Sequence, residues 1–387
     1  MPRVIVIGCG VAGYAVIRAF AEQDDVEIIA MTHTHGEMGC ASRYVSTVVH
    51  CPHPGRNEAA FIKFLLEGGT RWKGALIIES GDYMAVALSK HRQELSKYYR
   101  LVTPEWEMLR RYIEKDQLYA LADECGVPCP LTYSLTSPRE TEEIADQVRY
   151  PCILKPVNSV AFVSHFGKKN ISVGDQHALI CEFKKCFDAG LNVVVQEVIP
   201  GPDSALERLQ TYVDTNGRLS ARFFNNKLRQ NPPQFGVMRV GFSTARNPEV
   251  EVLAERLLKH GHYRGYASIE FKRDARDGKL KLMEVNVRMP RNGMLAIASG
   301  VNFPWHIYSD LVKNQQLYLE DYTFGLYWIE LLPELLNMTA NPYREKRYSW
   351  NEYMAPYRAK DKVFADFDRK DWKPFLRQVW NGLGRKS

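Results

Sequence analysis

The sequence predicts an α/β protein, with a parallel-sheet domain at the N-terminus and two mixed α+β units behind it. Three observations carry that expectation. The chain opens strand-helix-strand: an apolar run at 4–7, a helical stretch reaching Glu22 and a second strand at 26–31, with Gly8, Gly10 and Gly13 at the first turn. Residues 266–288 read as two alternating strands joined by a turn rich in Asp and Gly, a hairpin. Two further short apolar runs stop at breaks, one at Lys155-Pro156 and one at Pro200-Gly201.

Composition sets the outer limits. A chain of 387 residues that is 45% hydrophobic and 25% charged is long enough for two or three domains with a sizeable core. No apolar run approaches the roughly 20 residues of a membrane span. The apolar segment at 4–21 is broken by glycines and followed by Glu22, Asp24 and Asp25, so no signal peptide is expected. The eight cysteines form no C-x-x-C pair, and Cys9 and Cys152 lie in strand-like runs. Reduced thiols and a cytoplasmic setting are the expectation.

Residues 1–112 form the first unit. Gly8, Gly10 and Gly13 spell a dinucleotide fingerprint, which makes an NAD(P)-dependent oxidoreductase the main rival function. Such a site needs an acid at the end of the second strand to hold the ribose, and Met31-Thr32 stand there instead. The turn at Gly10 is then expected to take an anionic group of a substrate, or simply to pack tightly. His33, His35 and Cys40 follow at a spacing that matches no ligand pattern and read as a polar loop. Asp82 stands just past the apolar run at 77–78, where ligands gather in such sheets. It is a substrate-site candidate, with a helix cap as the alternative.

In the second unit, 113–190, Lys115 falls near a helix start and Lys155 ends a buried strand. A lysine there needs an anionic partner or a wet cleft, and a nucleotide phosphate would supply the first. The third unit, 191–325, begins with a β-branched strand whose acid, Glu197, sits at its exit. In its hairpin Glu284 and Asn286 share a face, and Glu270 can face them from the neighbouring strand. Three hard oxygen donors of this kind suit Mg2+ shared with nucleotide phosphates, and Arg288 on the same face adds a fork for a phosphate or carboxylate. A solvated hairpin with charged outer positions is the alternative. Between 225 and 239, Lys227, Arg229 and Arg239 offer cationic donors to a substrate or form a basic surface loop.

In this order and spacing the segments resemble the ATP-grasp ligases. The matching residues are Lys115 before the Gly-Val-Pro turn at 126–128, Lys155, Gln196 with Glu197, the metal set Glu270, Glu284 and Asn286, and Arg288. Shorter patterns, Ser42-Arg43-Tyr44, Gly81-Asp82-Tyr83 and Lys227-Leu228-Arg229-Gln230 among them, resemble the carboxylate-amine ligases related to D-aspartate ligase. The likeness spans roughly residues 1–325. It implies an ATP-grasp fold, two α+β subdomains clasping ATP, preceded by a Rossmann-like domain. It implies ATP and Mg2+ or Mn2+ as cofactors, with Lys115 and Lys155 on the phosphates and Lys168 in the covering flap. Gln196, Glu197, Val198 and Ile199 would meet the adenine, and Asp203 the ribose. Lys155 and Arg288 would be catalytic. Gly10, Asp82, Lys227, Arg229, Arg239 and Arg288 would bind substrate. The family's flap is usually glycine-rich, whereas here only Gly167 is present and Lys168, Lys169, Ser159 and Ser164 would have to stand in.

The implied reaction joins a carboxylate to an amine through an acyl-phosphate, releasing ADP and phosphate. The resemblance makes D-aspartate a first guess for the acid, with another amino acid, a cell-wall peptide or a natural-product intermediate as alternatives, and the acceptor is expected to be a small amine, a peptide or a cell-wall precursor. A non-catalytic ATP-binding protein is the third possibility, and nothing fixes an oligomeric state. The final stretch, 326–387, is aromatic and basic, with 12 Lys and Arg against 6 Asp and Glu over 341–387. It is expected to pack on the catalytic unit, with peripheral membrane contact as the alternative and no nucleic-acid partner.

Overall fold

The computed structural model describes residues 1–387 apart from 24, 158–161, 163–164, 232–235, 340–348 and 385–387. Ser159, Ser164, Tyr343 and Tyr348 lie outside the described residues, as does the side chain of Asp203.

Strands β1 (Arg3–Ile7), β2 (Glu27–Thr32), β3 (Thr47–His50), β4 (Leu76–Glu79) and β5 (Arg100–Leu101) form a parallel sheet in the order β3-β2-β1-β4-β5. Both faces of its central strands are covered, which is why β1 and β4 read as unbroken apolar runs rather than alternating ones. The helix Val11–Ala19 buries every side chain but that of Arg18. It can lie this close because Gly13 has no Cβ: one placed there would stand 1.9 Å from the Gly8 carbonyl oxygen.

Strands β6 (Thr132–Ser134), β7 (Cys152–Pro156), β8 (Ile171–Val173) and β9 (Val193–Glu197) make an antiparallel sheet in the order β6-β9-β7-β8. The helix Gln176–Asp188 seals it with Leu179, Phe183 and Cys186 against Leu154, Val193 and Val195.

The largest sheet is built from β10 (Leu206–Val213), β11 (Leu219–Asn231), β12 (Val237–Ser243), β13 (Gly265–Arg273), β14 (Leu280–Asn286), β15 (Tyr327–Ile329) and β16 (Lys362–Phe364). Their order is β14-β13-β10-β11-β12-β15-β16, antiparallel except between β15 and β16. One face, with Tyr212, Phe223 and Tyr266, packs with the helices Val11–Ala19 and Phe303–Leu311. The other, with Leu209, Phe224 and Ile269, packs on the helix Pro248–His260.

The C-terminal stretch is therefore no appended tail. Beyond its two strands in this sheet, it reaches back to the N-terminal domain, where buried Asp371 accepts hydrogen bonds from Ser42 Oγ (2.5 Å), the Arg43 amide (3.0 Å) and the Tyr14 hydroxyl (3.1 Å). Among the described residues no helix is long and apolar enough to cross a membrane.

Glu79 closes β4 with a fully enclosed carboxyl, and neither oxygen has a hydrogen-bond partner among the described residues. Burial pushes its pKa up to about 7 from an ordinary 4.5. The folded state thus holds a proton that the unfolded chain has released, and stability falls as pH rises through that window, by about 3 kcal/mol in total. Glu79→Gln is expected to remove this slope. Denaturant melts across the window check it, and an unchanged slope would show that the carboxyl is hydrated.

Candidate active site

The hairpin β13-β14 places the two acids as its alternation requires: the register sets Glu270 directly opposite Glu284 and Ser268 opposite Asn286. The turn between the strands closes through Gly278, at φ +71°, whose amide donates to the Asp274 carbonyl at 2.8 Å. Asn286 Nδ2 donates to Glu284 Oε1 at 2.9 Å, and Arg288 lies 3.4 Å from Asn286 Oδ1.

Two carboxylates facing each other repel, so cations must gather round them. Arg208, opposite Glu270 on β10, is ion-paired with it, and Lys227 Nζ stands 3.3 Å from Glu270 Oε2. Burial would raise the pKa of Glu284, but Lys115, Lys227, the Asn286 amide and Arg208 together hold it well below the usual carboxylate range. Lys155 is shifted down by burial, against the pull of Glu284 and Glu270. Glu284 therefore stays ionised at neutral pH, and with Glu270 and Asn286 beside it the group is rich in oxygen donors, which fits a hard divalent cation.

Lys115, Lys155, Lys227, Glu270 and Glu284 line one cleft of about 500 Å3, whereas Arg208, Asn286 and Arg288 are not among its lining residues. Lys115 enters from the start of the helix Lys115–Glu124, Lys155 from β7, Lys227 from β11 and Glu270 and Glu284 from the hairpin. Ile153, Ile199, Leu206 and Met283 supply an apolar part suited to a flat ring. The hinge segment after β9 forms the wall. There Glu197 and Val198 line the cleft, Gln196 is buried and donates to Thr132 Oγ1 at 2.8 Å, and the Ile199 carbonyl accepts from Lys272 Nζ at 2.8 Å. Lys169 and Asn170 border the opening, whereas Lys168 is exposed and not among the lining residues.

Other expected residues go elsewhere. Arg229, fully enclosed, is paired with equally buried Glu334 at 2.8 Å and lies over the Tyr353 ring. Arg239 is paired with buried Glu330 at 2.5 Å. This corrects the expectation that both guanidiniums face a substrate: the C-terminal stretch supplies glutamates that neutralise them. The Gly10 turn lies outside the cleft, and the amide of neighbouring Cys9 donates to Glu37 Oε2 at 2.7 Å. A carboxylate of the chain itself thus fills an anion position of the glycine turn, which argues against a dinucleotide there. Asp82 opens the helix Asp82–Lys90 and pairs with Arg288 at 3.2 Å, joining the N-terminal domain to the end of the β13-β14 hairpin.

Three partners escaped the sequence reading. Arg208 was legible only as one charge in an alternating strand. Arg276 and Glu37 sit in loops, and neither the 2.8 Å pairing of Arg276 with Glu197 nor the reach of Glu37 to the glycine turn has a sequence signature.

An N-terminal parallel sheet followed by two antiparallel units beside a charged cleft is the arrangement of the ATP-grasp fold. The comparisons agree on the fold. The biotin carboxylase domain of Hydrogenobacter thermophilus 2-oxoglutarate carboxylase, solved with MgADP and bicarbonate, matches with TM-score 0.66 at 17% identity over 84% of this chain and 73% of that one. N5-carboxyaminoimidazole synthetase from Staphylococcus aureus, complexed with ADP, matches with TM-score 0.66 at 15% identity over 89% and 86%. An L-amino acid ligase from Bacillus licheniformis gives 0.61 at 16% over 81% and 74%.

In sequence the chain is similar to the D-aspartate ligase of Enterococcus faecium (strain Aus0004), 28% identical over 257 residues, which is 63% of this chain and 60% of that protein's length. No protein-family model matches the sequence.

Proposed function

We propose that the chain is an ATP-dependent carboxylate-amine ligase that forms an amide through an acyl-phosphate, with release of ADP and phosphate. The carrying observation is the facing pair Glu270 and Glu284 in one cleft with Lys115 and Lys155, with Asn286 hydrogen-bonded to Glu284. A carboxylate does not condense with an amine in neutral water, because its leaving group would be oxide or hydroxide. Transfer of the γ-phosphoryl group to the carboxylate supplies a better one, and the amine then attacks the carbonyl carbon and expels phosphate.

Such a transfer asks the protein mainly for positioning and charge neutralisation. Mg2+ or Mn2+, held by Glu270, Glu284 and Asn286, would neutralise the phosphate oxygens. Lys115 and Lys155 would fix the α- and β-phosphates and leave the γ-phosphate open to attack. Val198 and Ile199 would hold the adenine, with Glu197 steadying the hinge through Arg276 and Asp203 next to the ribose. Arg288, aligned by Asp82, would face the acyl-phosphate, and Lys227 would approach the acid once Glu270 is satisfied by the metal.

The likeness to a D-aspartate ligase favours an amino acid as the carboxylate, and a peptide or cell-wall precursor is a natural acceptor to try. The test is nucleotide turnover with Mg2+ and ATP across D- and L-amino acids, with and without amines, reading ADP, AMP and phosphate separately. ADP and phosphate appearing only with a particular acid and amine support the ligase. AMP and pyrophosphate would sink the acyl-phosphate route.

The division into 1–112, 113–190, 191–325 and 326–387 remains our reading of the units, with a cytoplasmic setting favoured by eight free thiols. Peripheral membrane contact gains one support. On the helix Lys373–Gly384 and the residue before it, Trp372, Leu376 and Trp380 are exposed at a four-residue spacing, beside Lys373 and Arg377. Sedimentation with anionic vesicles is expected to carry the protein down at low salt, and Trp380→Ser to reduce it. A supernatant that retains all the protein would dispose of the contact.

A further inference from the structure

Away from the cleft, the glycine turn of the N-terminal domain gathers a group of soft ligands that the ligase chemistry does not use. Cys9 lies in the turn after β1, and Glu37 and Cys40 come from the segment after β2. Their Sγ and carboxylate oxygen atoms all lie within 4.8 Å of one another. In sequence they are 28 and 31 residues from Cys9, so no ligand spacing announces them.

The backbone holds the three together. The Gly39 amide donates to the Cys9 carbonyl at 2.8 Å, and a Cβ on Gly39 would stand 2.7 Å from that oxygen, so only glycine permits this approach. Glu37 commits Oε2 to the Cys9 amide (2.7 Å) and the Thr32 hydroxyl (2.6 Å), which orients the carboxylate and leaves Oε1 to ligate. The Cys9 thiol lies 3.6 Å from the Val6 carbonyl and 3.7 Å from that of Met31. On the same loop, His33 has a buried Nδ1 with no partner among the described residues.

We propose that Cys9, Cys40 and Glu37 bind a zinc ion, or a similar soft divalent cation, with water in the fourth position. Two thiolates and one carboxylate in a tight group are a zinc donor set, and three protein ligands with one open position is a recognised zinc arrangement. The sulfurs would close to about 2.3 Å from the metal. Binding forms two metal–sulfur bonds and releases two protons to solvent, one from each thiol. Held this way, the segment 37–41 would be clamped onto the glycine turn, with a cation beside the carboxylate that occupies its anion position.

The test uses the full chain, reduced and stripped with a chelator, then titrated with Co2+ alone as the probe. The expected result is a thiolate-to-cobalt charge-transfer band in the near ultraviolet that saturates at about one ion per chain and is bleached by added Zn2+. Cys40→Ser, at a half-buried position, and Glu37→Gln should weaken binding by at least about tenfold, while Cys51→Ser, outside the ligand set, should leave it unchanged. Circular dichroism confirms that each variant is folded. No band in the folded wild type, or a band that survives Cys40→Ser undiminished, would overturn the proposal. The readout is independent of ligase activity, so its failure and the failure of the ligase assignment are distinguishable.

Discussion

Replacing Glu284 with alanine is expected to lower ATP-dependent turnover by at least about 10²–10³-fold, or about 3–4 kcal/mol of transition-state stabilisation. The side chain sits opposite Glu270 and accepts a hydrogen bond from Asn286, so its loss would remove one proposed metal ligand and free another. It also leaves Lys115 and Lys227 without the carboxylate whose charge they share. Because Glu284 stays ionised far below neutrality, Glu284→Gln keeps the shape but not the charge. It should fail nearly as badly, with partial recovery at raised Mg2+. ADP release measured against Mg2+ concentration checks this, and full turnover by the alanine variant would refute the metal assignment.

Lys155→Met is expected to weaken ATP binding by about 10²-fold without lowering the melting temperature of the unliganded protein. The ammonium lies at the end of β7 facing the cleft, where burial disfavours its charge more than Glu284 and Glu270 support it. Without nucleotide the charge therefore contributes no net stability, and an apolar chain of similar length loses nothing. With nucleotide it would meet phosphate under the proposed assignment, so the loss should appear in binding. Titration calorimetry and thermal melts with and without ATP separate the two effects. A variant that melts lower and binds ATP normally would make Lys155 a structural residue.

Much of the fold was legible because its signals are local. Period-two alternation and an Asp-Gly turn specify the β13-β14 hairpin, and that register brings Glu270, Glu284 and Asn286 together. The unbroken apolar runs of β1 and β4, with glycines at the first turn, specify a covered parallel sheet. The end of the chain was far less legible. Its aromatic and basic composition says nothing of β15 and β16 joining the large sheet, because three-residue strands carry too little pattern to be seen.

The cationic residues show the same boundary at the level of single side chains. Lys227 and Arg229 are two positions apart, yet the first approaches Glu270 while the second is enclosed against Glu334, more than a hundred residues away. The register of β11 against β12 shifts between these two positions, so simple alternation does not predict which way each points.

By itself, then, the sequence determined the order of the elements, the facing of the two hairpin acids and the place of the strand-end lysine. All of these depend on neighbours a few residues away. Only the tertiary structure decided which charges remain available for a substrate, that Glu37 fills the glycine turn, and that Cys9 and Cys40 meet. Ion pairs and thiol contacts form between segments whose separation in the chain carries no periodic signal, and they exist only once packing has brought those segments together.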